Sequence, residues 1–141
     1  ICSKYAGRGQ ALSRREGDGM AITIQPLELD SVHKIIRDAD ADATAENDIN
    51  SGAATLIGVD LDNAANAAVT YLHFFNTAAP TIGTTTPDMV LMIAASVRRS
   101  YFIQTGVVFD TSLSFCAKTV GGTAGTTGPT SDVIVSLVLG G

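Results

Sequence analysis

Tryptophan is absent from this chain, and histidine and cysteine occur only as His33, His73, Cys2 and Cys116. Four such residues scattered from position 2 to position 116 cannot supply the tightly spaced ligands of a zinc site. Two cysteines far apart in sequence are no disulfide framework, so a reducing compartment, or no selection for bridges, is the simpler reading. Aromatic residues make up 6% of the chain, little from which to build the aromatic platform of a sugar-binding cleft. No apolar run approaches the ~20 residues of a membrane span. The first residues lack the apolar core of a secretory leader. Charge is sparse at 16%, and its balance of −5 argues against bulk attraction to nucleic acid.

The motifs of catalysis are also missing. Neither His33 nor His73 lies near a nucleophile motif such as G-x-S-x-G, so each reads as an ordinary surface or interface histidine. Asp60 and Asp62 share a strand face and read as solvated charges, not as a paired-carboxylate site. The glycine-rich run from Gly121 to Gly128 lacks a G-K-[ST] ending and a following helix, so it reads as a flexible hairpin loop and no phosphate cradle. Asp38, Asp40 and Asp42 have the odd spacing of the first ligands in a calcium loop. Ala43 and Ile49 stand where that loop needs glycine and a bidentate glutamate, so the stretch reads as a solvated linker. The expectation is a protein with no enzymatic activity, no cofactor and no metal.

What is present suits one folded body: 141 residues, 45% of them hydrophobic. Residues 1–20 read as an extended basic arm, rich in glycine and arginine and without an apolar period. Lys4, Arg8, Arg14 and Arg15 outweigh Glu16 and Asp18 there, leaving +2 on the arm and −7 on the rest. Such an arm suits an acidic partner, a neighbouring copy included. Residues 21–50 read as a linking segment, with an edge strand at 21–29 broken by Pro26 and an acidic stretch from Asp38 to Asn50. Between them, Ser31 to Arg37 could form a helical turn or a strand.

Residues 51–141 read as the β-domain. Ile57, Val59 and Leu61 alternate with polar or small neighbours and should face inward. Val69 to Phe75 is apolar on both faces, with Leu72 and Phe74 inward and Tyr71 and Phe75 outward. Met89 to Val97 reads as a strand that Tyr101 to Ile103 continues. From Val107 to Lys118, Phe109, Leu113, Phe115 and Ala117 should point inward, while Ser112, Ser114, Cys116 and Lys118 form a wet face. Val133, Val135, Leu137 and Leu139 make a last inward row. Short strands with turns every 8–12 residues, and no helical segments between them, indicate an all-β, antiparallel β-sandwich, jelly-roll-like or immunoglobulin-like. Arg98-Arg99 beside Tyr101-Phe102 is a basic–aromatic cluster suited to a subunit contact with Asp or Glu.

Some of the order is familiar. Tyr71-Leu72-His73-Phe74-Phe75-Asn76 is followed by Ala79-Pro80-Thr81-Ile82-Gly83-Thr84-Thr85-Thr86-Pro87. Then comes Thr105-Gly106-Val107-Val108-Phe109, with Thr111-Ser112-Leu113 and a V-x-V-x-L ending. Over residues 50–141 this resembles small β-sandwich virion proteins of tailed bacteriophages, with Ser112 where that pattern often has glycine. The resemblance implies a capsid decoration or cement protein, a homotrimer on the outer surface of the virion that binds the major capsid protein and clamps neighbouring capsomers. Lys4, Arg8, Arg14, Arg15, Tyr71, Phe75, Arg98 and Arg99 are the expected partner-binding residues, with neither nucleic acid nor membrane as partner. The alternative is a tail-fibre or baseplate module that binds a host-surface ligand.

Overall fold

The computed structural model describes residues 33–140. The basic arm, with Lys4, Arg8, Arg14 and Arg15, and the edge strand read at 21–29 lie outside the described residues. Seven strands and no helix are found among those described: β1 (Lys34–Ala41), β2 (Ala54–Asp62), β3 (Thr70–Phe75), β4 (Met89–Ile93), β5 (Arg98–Phe109), β6 (Ser114–Lys118) and β7 (Val133–Gly140). They build two antiparallel sheets, ordered β1-β7-β2-β5 and β4-β3-β6. The chain is an all-β sandwich.

Alternation in the sequence becomes alternation of burial. Val133, Val135, Leu137 and Leu139 of β7 all point into the core, as their spacing predicts. They meet Leu72 and Phe74 of β3 and Phe115 and Ala117 of β6 from the facing sheet. Phe74 lies between Phe109 and Phe115, with ring centroids 6.2 Å away on either side.

Pairing follows a nested order. β1 pairs with β7, β2 with β5, and β3 with β4. The segment 42–49 completes the series by running along the free edge of β6. Ala117 N–H donates to the Asp42 carbonyl, Glu46 and Phe115 exchange backbone bonds, and Ile49 N–H donates to the Leu113 carbonyl. With that segment counted as an irregular strand, first pairs with last, second with second-last, and so inward. This is one long hairpin wrapped across two sheets, the jelly-roll arrangement. The sheets therefore take in residues 34–49, part of the stretch read as a linker, and the acidic run is an edge cover.

Three strand readings are corrected. In β2 the register shifts between Leu56 and Gly58, so Ala54, Leu56, Val59 and Leu61 face inward and Ile57 does not. The run from Met89 onward breaks at Ala94–Val97, where the chain crosses to the other sheet with Ser96 at a φ of 58°. The supposed wet face of β6 is dry: Ser112, Ser114, Cys116 and Lys118 are all buried.

Buried amides and hydroxyls hold the two ends. At one end, the Asn63 side chain donates to the Ala68 and Ala94 carbonyls and accepts from Thr70 and Asn66. Asn66 also bonds both Ser131 backbone groups, so three loops and the start of β3 share one satisfied network. At the other end, the Asn76 amide donates to Asp110 and its oxygen accepts from the Thr111 and Ser112 backbone. The Ser112 hydroxyl donates to Asp48, whose own N–H donates to Ser114 Oγ. These bonds hold the Asp48 and Asp110 carboxyls below the usual carboxylate range.

Candidate interaction surface

The surface that sequence pattern singled out, the outer side of β3, is sealed by the chain itself. Tyr71, His73 and Phe75 sit opposite Lys118, Cys116 and Ser114 across the β3–β6 ladder. After β6 the glycine-rich loop folds back over this face, because the Lys118 ammonium gathers it. Lys118 Nζ donates to the carbonyls of Gly122, Thr123 and Gly125 at 3.2, 3.0 and 3.1 Å. A buried ammonium must replace its water with acceptors, and three carbonyls do so. Gly121 then lies so close to the Tyr71 ring that a Cβ there would stand 3.0 Å from Cε1. The loop read as flexible is a cover.

His73 is part of that cover and no surface residue. Its Nε2 bonds the Val120 carbonyl at 2.8 Å, and its ring stacks on Phe75 with centroids 6.3 Å apart. An acceptor carbonyl fixes the proton on Nε2, which leaves Nδ1 buried without a hydrogen-bond partner among the described residues. Burial lowers its pKa, and the nearby Lys118 charge lowers it further against the opposing pull of the Val120 carbonyl. Cys116 is a free buried thiol, pushed up to about 11 by loss of solvent. Phe75 is buried at 1% exposure and Tyr71 is half-buried, so neither offers the outward patch expected of them.

Arg98 is also committed within the chain. Its guanidinium holds Asp60 across the β2–β5 ladder, with Nη2 and Nε at 2.8 and 3.1 Å from Oδ2. Ser100 Oγ donates to the other carboxylate oxygen, and together these bonds lower the Asp60 pKa. Arg99 is exposed and paired in register with Leu61. Among the described residues no cluster of three or more His, Cys, Asp or Glu could hold a metal ion. Among those residues, too, no helix is long and apolar enough to cross a membrane.

The exposed apolar side chains gather instead on the outer face of the four-stranded sheet. Phe102 is 77% exposed, Ile35 72% and Val108 66%. Register places two of these, Phe102 of β5 and Ile35 of β1, in a single row across all four strands, with Val138 of β7 and Gly58 of β2 between them. Val138 is half-buried and leans toward Gly58, where a Cβ would touch its Cγ2 at 3.4 Å; Gly58 is itself buried, so the row simply lacks a side chain between Phe102 and Val138. The next row along is polar, with Ser100, Asp60, Ser136 and Arg37. Comparison with family models, with curated proteins and with solved structures finds no match to this chain.

Proposed function

We infer that this protein is a structural component of a virion, a capsid decoration or cement protein that adheres to the outer shell and stabilises the head. The observation that carries the reading is the apolar row on the outer face of the four-stranded sheet. Side chains of this size, aligned across the sheet and exposed on its two edge strands, mark a place where another surface belongs. The jelly-roll pairing suits a shell component, and the likeness of residues 50–141 to small virion β-sandwich proteins points the same way, as fold-level analogy. The major capsid protein is the proposed partner, with the basic residues of the arm as a strap. Attachment repeated over a symmetric shell would add avidity to a modest single contact.

Imaging purified virions with a tag on this protein tests the reading. Label spread over the head supports it, and label confined to the tail favours a fibre or baseplate module. Removing residues 1–20 should weaken decoration of empty heads. Undiminished decoration would remove the strap from the proposal.

A further inference from the structure

The apolar row has a shape as well as an exposure. Read across the sheet from β5 to β1, it runs large, absent, medium, large: Phe102, Gly58, Val138, Ile35. A second copy turned about a two-fold axis parallel to the strands, between β2 and β7, lays this order over its own reverse. Phe102 of each copy then meets Ile35 of the other. Val138 of each copy falls over Gly58 of the other, the one position in the row that carries no side chain. The polar row follows the same operation. Arg37 of each copy comes over Ser100 of the other, next to the Arg98–Asp60 pair, whose carboxylate it would share.

We propose that this face is a self-complementary interface, and that its occupant is a second copy of this chain packed sheet on sheet about that two-fold axis. The inference rests on the adhesive reading of the face given above and narrows it: a second copy takes up the apolar row, which leaves attachment to the major capsid protein to the basic residues of the arm. Two sheets stacked in this way stand ~10 Å apart with their strands roughly aligned. Four strands about 4.8 Å apart and about eight residues long give a footprint of roughly 19 by 26 Å. That is about 500 Å² in projection, and more in accessible area, the order of the ~800 Å² per partner of a standard interface. The closed two-fold also explains why so apolar a face need not lead to open-ended aggregation, since each copy consumes the face of the other.

Light scattering on the full chain across micromolar concentrations gives the test. The expected particle has twice the 14.5 kDa chain mass. Phe102→Glu should halve that mass while circular dichroism and melting temperature show the fold intact. Met92→Glu, an exposed site on the other sheet, should leave the dimer unchanged. A monomeric full chain overturns the proposal. If that monomer also loses melting temperature with Phe102→Glu, the cover is intramolecular and comes from residues outside those described. A dimer that survives both Phe102→Glu and Ile35→Lys overturns it too, as does a trimer, whose closed ring joins unlike surfaces. Since shell binding is scored separately on empty heads, a monomer that still decorates them would fail this proposal alone.

Discussion

Three side chains carry the conditional part of this molecule's stability. Lys118 is fully buried, and its ammonium is the hub on which the loop after β6 is wound. Lys118→Ala removes the hub, strands three carbonyls and leaves a cavity. The expected loss is about 2–4 kcal/mol, with new proteolytic cleavage between residues 119 and 128. Denaturant melts and limited proteolysis would check both. His73 and Asp38 make stability depend on pH in opposite directions. For His73 the folded state binds its proton less readily than the unfolded chain, so stability falls as pH drops below about 6.5. For Asp38 the reverse holds. Alternation along β1 puts this carboxyl on the inner side with Ile36, where Oδ2 is buried without a partner among the described residues, and loss of solvent with nearby Asp40 and Glu46 raises its pKa to about 6. Its folded form holds the proton more readily, so its contribution is fully present below about 3.8 and is lost as pH rises through about 6. Melting temperatures from pH 4 to 8 should show Asp38→Asn stabilised at neutral pH, with a steeper acid decline. His73→Gln should flatten that decline.

At the scale of elements, what was legible was whatever alternation alone decides. β7 and the inner faces of β3 and β6 were readable because one period governs each of them. β2 was misread at Ile57 because a bulge shifts the period midway, and a bulge depends on the neighbouring strand. Its partner β5 has the matching irregularity at Gly106, where φ is +75° and a Cβ would stand 2.4 Å from Thr55 Cγ2. Gly106→Ala should therefore destabilise by about 2–4 kcal/mol, strain and crowding together, in a urea titration. The outer face of β3 was misjudged for a different reason. Its apolar second side meant a cover, but the cover is a loop of this same chain, gathered by a lysine whose burial no local pattern announces. The exposed row was missed although the same reasoning applied to it. Tyr101-Phe102-Ile103 and the β7 run with Ile134 and Val138 are also apolar on both sides. Only strand order reveals that Phe102, Val138 and Ile35 stand in line.

Across the whole molecule, polar groups concentrate at the two ends and apolar groups on the outer face of one sheet. The asparagine networks tie crossing loops at the ends, while the edge of β6 is blocked by residues 42–49. This arrangement leaves Phe102, Ile35 and Val108 exposed on one face of the four-stranded sheet. Its stability is non-local, because each sheet joins segments from opposite halves of the chain.

That last feature bears on how the protein is made. β7 is inserted between β1 and β2, and it follows every other strand in the order of synthesis. Until it leaves the ribosome, β1 has no neighbour in its sheet, β2 lacks one of its two, and the row that Val138 completes does not exist. The row of Phe102, Gly58, Val138 and Ile35 is therefore assembled only when nearly all of the described chain has been released.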